Sequence, residues 1–573
     1  MDIITTMETP ADGLAVGHIY IGDEGDDLSS SGFELTIPAG VVGLDRRPCH
    51  VEDQMRRHYI TGQWSRPLVI TEFRTIFEAG LPAPAAPGLT SAAGGTLDGI
   101  HIGYLSYRHK VGDTIVHEGN LSTGSVAVVM NAGTASKRVW SMAAGAPTSR
   151  VTHIVLWASV DGALPKEVVE LAIGTTTYTE TIATAALGDP PPTDADGNLK
   201  NARGIPPATR FVVKYHRRAW YGGDASYPFR WWYSELDEFE SVGDQNFLDH
   251  LDHETTVGAG AAGDSFVSFG QQVAYVIQGW DADDFRIARV SPSIGCLSHF
   301  AIVNISEILW FPSEAGMSLY IPGAGFRPLM HKDLATYWAE EYAANPAAFE
   351  DAIAADDRVK KVYRLLVSYP ADPLSRCFVG HYQRFDPSVG EGGSMPDWTF
   401  DLRDRQDTCV GNLRVANRKR TESFTGSLDG YLRKENVESD NSDDGDTYQK
   451  TMILDTPHYL PGQQEGDDDD GFVFNSLTVF LRSELSWWTI EGRAGDDTAY
   501  QATNAAWPRT TPASLKTVGN KTAVAKTSHK FPVSGLSGKG CMFRLIIPLA
   551  QAVEYRGLAL SWEDGKQSRP FIG

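Results

Sequence analysis

Basic residues are scarce in this chain. Lys and Arg number 50 against 73 Asp and Glu, a formal net charge of −23 over 573 residues. A protein that grips nucleic acid through its phosphates needs the opposite balance, so that class is excluded; a chain that lets DNA pass without holding it is not. Long apolar runs are missing too, and without 18 consecutive apolar residues no helix is expected to span or insert into a membrane. The opening MDIITTMETPADGLAVG has neither a basic start nor an apolar stretch, so no cleaved secretory signal is expected. Cysteine is sparse. Cys49, Cys296, Cys377, Cys409 and Cys541 lie far apart with no CxxC or zinc spacing, and read as buried free thiols made in a reducing cytoplasm.

Catalytic signatures are also lacking: GxSxG, Walker A and HExxH do not occur. The remaining candidates weaken on inspection. Asp440, Ser442 and Asp444 alternate ahead of Gly445 like the opening of a calcium loop, but the twelfth position is Thr451, where a bidentate Glu belongs. Asp467, Asp468, Asp469 and Asp470 are adjacent and cannot all face one ion, so a solvated or repelling loop is expected. His250 and His253 have a spacing usable by zinc on a helix, yet no third ligand stands nearby, and they read as ordinary polar surface. Gly258, Gly260 and Gly263 imitate a dinucleotide fingerprint, but a strand pattern follows where a helix should open. Carboxylates are too abundant for any pair to mark a glycosidase. The expectation is therefore no catalytic residue, no metal and no cofactor.

What the chain does have is strand periodicity and punctuation, with 56 Gly and 31 Pro scattered without a repeat. Residues 99–107 (GIHIGYLSY) alternate with period two, and 125–130, 151–157, 175–181 and 363–369 read as strands in the same way. Pro82, Pro84 and Pro87 stiffen one joint and Pro190, Pro191 and Pro192 another, so the segment between is expected to be a separate β-sandwich with few contacts across its boundaries. Residues 205–330 are heavy in aromatics, Trp280 and Trp310 among them, and Trp220, Tyr221, Trp231, Trp232 and Tyr233 are expected to fill β cores, with stacking on sugars as the alternative. Residues 331–362 are rich in Ala and Glu with a break at Pro346, which predicts two helices meeting near Asn345. Residues 435–470 hold twelve acidic residues and one Lys, and read mostly as solvated loops.

Several stretches resemble a known family. Gly43-Leu44-Asp45-Arg46-Arg47-Pro48 is similar to the opening of phage tail proteins built around a β-propeller, and residues 82–187 resemble their fibronectin type III-like insert, most closely at 152–162 and 177–181. Residues 230–240 (RWWYSELDEFE) resemble a blade signature of the same proteins, continued at 263–269, 274–279, 295–298 and 308–311; residues 427–431 resemble a closing blade turn. The resemblance is to the nozzle, or distal tail-tube protein, of short-tailed phages.

The resemblance implies a mainly β, multi-domain chain: a β-propeller with a fibronectin-III-like β-sandwich insert and a short helical interruption. It implies an N-terminal β segment at 1–80 that starts the propeller or platform, the sandwich at 81–190, blades at 200–450 with the helical insert at 331–362, and a C-terminal β domain or platform at 451–573. It further implies a structural virion protein made in the bacterial cytoplasm. That protein would form a homo-hexameric ring beside an adaptor and tail fibres or spikes, through which DNA passes without sequence-specific contact. Acidic walls would let phosphates slide. The alternatives are a host-receptor-binding fibre or hub and, further off, a polysaccharide-degrading propeller.

Overall fold

The computed structural model describes residues 47–191 and 202–383 nearly throughout, parts of 396–427, and otherwise separate stretches. Among the latter are strands at Asp2–Glu8, Val16–Gly22 and Phe33–Leu35 and a set running from Thr451 to Arg569, for which the backbone alone is described. The chain is mainly β, in many separate antiparallel sheets, and no closed barrel occurs among the described residues. It divides into two compact units. One holds residues 1–330 and 345–421, the other residues 331–344 and 422–573.

Within the first unit, five four-stranded sheets are simple meanders whose strands pair in chain order. The first comprises Cys49–Glu52, His58–Thr61, Leu68–Ile70 and Ile76–Glu78. The second comprises Phe211–Tyr215, Arg218–Gly222, Arg230–Glu235 and Glu238–Asp249, and the third Gly258–Ala262, Ser265–Phe269, Ala274–Gln278 and Arg286–Ser291. The fourth comprises Val303–Ile305, Ile308–Ser313, Gly316–Ile321 and Gly325–Pro328, and the fifth Ile353–Asp357, Val362–Ser368, Ser375–His381 and Asp397–Arg403.

Consecutive meanders pack on one another through residues that point to both faces. Tyr59 and Val69 meet Val212, Tyr221 and Phe239; Trp220 and Trp231 meet Phe266 and Ile277; Val267 and Phe269 meet Leu309 and Phe311. Trp310 of the fourth meander lies 5.6 Å from Tyr363 of the fifth. Because both faces are buried, many strands read as continuous apolar runs instead of strict alternations. Phe300, between the third and fourth meanders, packs against the clusters of the first and second, of the second and third, and of the fifth.

Residues 88–179 form two sheets. Gly88–Leu97, Ser136–Ser141 and Thr177–Thr179 make one; Gly99–Val111, Thr114–Glu118, Val128–Met130, His153–Val160 and Lys166–Ala172 make the other. They share one core of Leu89, Trp140, Leu105, Leu156 and neighbours. Trp140 lies so close to Gly103 that a Cβ there would stand 2.5 Å from its ring, which is why the facing strand carries glycine. The sandwich is inserted between the first and second meanders, which pack on each other regardless. Helix α1 (Lys332–Ala344) and helix α2 (Pro346–Glu350) break at Asn345 as the proline predicts. The helical segment is shorter than the pattern implied, since Ile353–Asp357 is already a strand.

Candidate functional site

The centre of the meanders brings a thiol and an imidazole together. Cys49 opens the first strand of the first meander, and His299 sits in the short turn 299–301 before the fourth. Their Sγ and Nε2 are 3.2 Å apart, the separation of a nucleophile and its base. The surrounding hydrogen bonds decide what the pair can do. The amide of Ala259 donates to His299 Nδ1 (3.3 Å), so the neutral ring carries its proton on Nε2 and donates it toward sulfur. The Cys49 thiol in turn donates to the carbonyl of Val212 (3.2 Å). The imidazole nitrogen that would have to take the thiol proton is thus already protonated.

Burial reinforces this wiring. It pushes the Cys49 thiol up to about 11, with the bond to Val212 opposing, and it pulls His299 down to about 3, helped by the charge of Arg210. A thiolate–imidazolium pair needs both shifts reversed. Cys49 and His299 are a packed hydrogen-bonded pair without nucleophilic chemistry. Sequence reasoning missed their meeting because 250 residues separate them.

A second cluster lies where the first two meanders meet the sandwich. Glu240, buried, accepts hydrogen bonds from both terminal nitrogens of Arg150, from the amide of Gly80 (2.9 Å) and, at longer range, from Arg57 Nη1 and Tyr59 Oη. Arg57 also donates to Asp53 (2.6 Å). Burial by itself would raise the Glu240 carboxyl, but Arg150, with His117 and Arg57, holds it far below the ordinary carboxylate range. Burial pulls the adjacent His117 down to about 4. Arg150 belongs to the sandwich, so the two modules share a desolvated ion pair. The expectation of few contacts across the proline-rich joints is corrected: those joints guide the chain, while Arg150 reaches past them. Arg203, beyond the second joint, adds a contact to Glu118 (2.8 Å).

The histidine pair at 250 and 253 separates. His250 is a core residue and not polar surface, with Nδ1 against the Glu254 carbonyl (2.8 Å), Nε2 against Ser268 Oγ (2.6 Å) and its ring stacked on Tyr275. Both nitrogens are occupied, whereas His253 is exposed in a turn with φ +54°. Among the described residues no group of three metal-ligating side chains occurs. Gly258–Ala262 is itself a strand. Asp440, Ser442, Asp444, Gly445 and Asp467 to Asp470 lie outside the described residues, and Thr451 begins a strand. Cys49, Cys296 and Cys377 are buried as expected; Cys409 is exposed, contrary to expectation.

Most of the aromatics fill cores: Trp220, Tyr221, Trp231, Tyr233 and Trp310 are buried. Tyr227, Trp232 and Phe247 surround the Arg230 guanidinium, 3.5 Å from the Phe247 ring centre and held by Asp249, so their faces are already taken by an internal cation. Trp280 is the departure. It is 65% exposed and stacked on His216 at 4.0 Å.

No family model matches this chain, and no curated protein matches it. Among solved structures it aligns with PorZ, an essential bacterial surface component of the type-IX secretion system of Porphyromonas gingivalis. The identity is 9% and the TM-score 0.21, over 97% of this chain and 96% of that one. A likeness of that size carries neither fold nor function across. The resemblance to phage tail nozzle proteins is corrected: no family model and no curated protein bears it out, and the solved structure that aligns is of a bacterial surface component. The virion location and the phage-specific roles fall with it. The physical reason is visible in the fold. Stretches such as 230–240 are aromatic, alternating and turn-bounded because a meander buried on both faces needs them to be, whatever its family.

Proposed function

We propose that this chain is a non-enzymatic structural subunit of a larger assembly, a rigid wall with the sandwich locked to it as a presentation arm. The observation that carries the reading is the buried Arg150–Glu240 joint, which makes an inserted module and two meanders one body. A module meant to swing would be tethered by an exposed linker. The inert Cys49–His299 pair points the same way.

The meanders are taken as blades of a β-propeller. That reading is supported by their chain-order pairing, by their face-to-face stacking, and by first strands that neighbour one another around Phe300. A fibronectin-III-like identity for the sandwich is supported by two antiparallel sheets over one apolar core and by strands that cross between the sheets. A homo-oligomeric ring is the assembly to look for. Mass photometry and electron microscopy of the purified full chain test it: a defined oligomer with a central opening is expected. A monomer at every concentration that also captures no partner ends the proposal.

A second reading is glycan binding, favoured only by the stacked, exposed Trp280. Glycan-array binding that disappears in Trp280→Ala would establish it.

A further inference from the structure

One lateral wall of the sandwich carries no charge. Residues 79–97 and 119–136 contain no Asp, Glu, Lys or Arg, in a chain where those residues make up 21%. The fold sets the two stretches side by side. Gly88–Leu97 is the outermost strand of one sheet, Val128–Met130 is an outer strand of the other, and the two lie against each other. Both edges are open. Gly88–Leu97 pairs with Ser136–Ser141 and Val128–Met130 with Gly99–Val111, and among the described residues no further strand joins either. From Gly88 to Ala93 the pairing runs residue for residue without a bulge, so a regular row of amides and carbonyls faces outward. Proteins ordinarily block such an edge with Lys, Pro or a bulge, and this stretch has none of them.

Apolar side chains gather at the same wall. Val129 pairs directly with Ile100; they are 71% and 49% exposed, and Val126, just before the strand, is 86% exposed. Their direction follows from the alternation along Gly99–Val111. His101 and Leu105 are buried inward and Gly103 lies against Trp140 of the facing sheet, so Ile100, Ile102 and Tyr104 point outward. Gly124 passes so close to the last two that a Cβ would stand 2.9 Å from Ile102 and 3.1 Å from Tyr104, and it lays no polar side chain over them. Farther along the same face the surface turns ionic, where Glu118, Glu167 and Glu170 hold Arg108.

Charge decides what meets this wall. Copies of a chain with net charge −23 repel one another, so they approach with least opposition where neither presents a carboxylate. A strongly acidic or basic partner would find no counter-charge here. A bulge-free strand edge is also self-complementary, because turned about a two-fold axis it meets itself antiparallel. We propose that this wall is a contact between two copies of the chain, in which Gly88–Ala93 pairs with its own mate across a two-fold axis and Val126 and Val129 are covered. The contact joins chains in pairs and does not depend on the ring considered above.

The test is hydrogen exchange of the purified full chain at low and high concentration, with sedimentation velocity alongside. Exchange at residues 88–93 should slow tenfold or more at the concentrations where chains pair. Val126→Lys combined with Val129→Lys should weaken pairing tenfold or more without moving the melting temperature of the single chain, since both side chains are exposed. Thr90→Lys, exposed on the open strand itself, is the second variant and should act in the same direction. Leu251→Lys, at an exposed apolar position elsewhere, should pair as wild type does. A chain that stays monomeric overturns the proposal, as does pairing of undiminished strength in the lysine variants. Association that leaves residues 88–93 exchanging freely also overturns it; that result would keep the ring and give this edge to a different protein.

Discussion

Between the first and second meanders the packing surrounds a buried carboxylate; between the second and third the buried core is chiefly aromatic. The first seam places Glu240 among Arg150, Arg57 and Tyr59 beside an apolar cluster. The second stacks Trp220, Trp231, Phe266 and Phe285 with ring centres about 5 Å apart, and its polar ties lie beside the stack: Trp231 Nε1 to Ser268 Oγ at 2.6 Å, Tyr215 Oη to the Asp264 carbonyl at 2.9 Å and Arg218 to the exposed Asp281 at 3.0 Å. Apolar contact tolerates small errors, because each lost methylene costs only its own burial and cavity. A buried charge does not, since removing its partner leaves the full desolvation penalty behind. The ionic seam is therefore specific and brittle where the aromatic seam is forgiving. It is also the seam that joins three pieces of chain.

The sharpest way to break this contrast is Arg150→Met. It is expected to destabilise the protein by about 3–5 kcal/mol, read from chemical denaturation, because Glu240 is left buried with the Gly80 amide and Tyr59 but with no arginine nearer than Arg57 at longer range. Adding Glu240→Leu should recover most of that loss, since Arg57 keeps Asp53 as its partner. A double variant no better than the single would show that the joint acts through shape and not through charge.

Acid should separate the regions next. His250 and His117 are held at about 4, below the ordinary histidine value of about 6.5. Their contribution is fully present above pH 6.5 and is lost as pH falls toward 4, because the unfolded chain takes up protons that the folded one refuses. Each adds a slope of about 1.4 kcal/mol per pH unit in that window. In His250→Gln the slope of stability against pH should flatten by that amount; an unchanged slope would mean that His250 is protonated in the fold.

Ile277→Val in the aromatic seam is expected to cost about 0.5–1.5 kcal/mol, a fraction of the Arg150 effect at a site that is equally buried. The smallest effect concerns reactivity alone. Among the four cysteines whose side chains are described, Cys409 should label rapidly with a thiol reagent in the native state, whereas Cys49, Cys296 and Cys377 stay protected, as peptide mapping would reveal. Fast labelling of Cys49 would mean that the His299 pair is less inert than its wiring implies.

Much of the sheet framework was legible in the sequence. The alternations at 99–107 and 151–157 became Gly99–Val111 and His153–Val160, and Pro346 marked the helix break. These are local signals, in which periodicity or a missing amide acts within a few residues. The turns were less visible. His216 and Arg217, and again Ser306 and Glu307, adopt positive φ in two-residue hairpins without the Asn-Gly signature such turns favour. Pairings at long range were not legible at all. Arg150 and Glu240 are 90 residues apart, and in a chain with 73 carboxylates nothing marks which one will be buried. The family likeness failed for a related reason, since it rested on local patterns that any meander buried on both faces produces.

The insertion of the sandwich also has a consequence for how the chain comes off the ribosome. Cys49 and Val212, partners across the first seam, are 163 residues apart, whereas the sandwich pairs its own strands over much shorter spans. At about 5–20 residues per second, the first meander waits roughly 8–30 s for the second to emerge. The sandwich is complete before then and already presents Arg150 when Glu240 is made. The inserted module thus serves as a timed template, holding a cation ready at the place where the last partner of the seam must land.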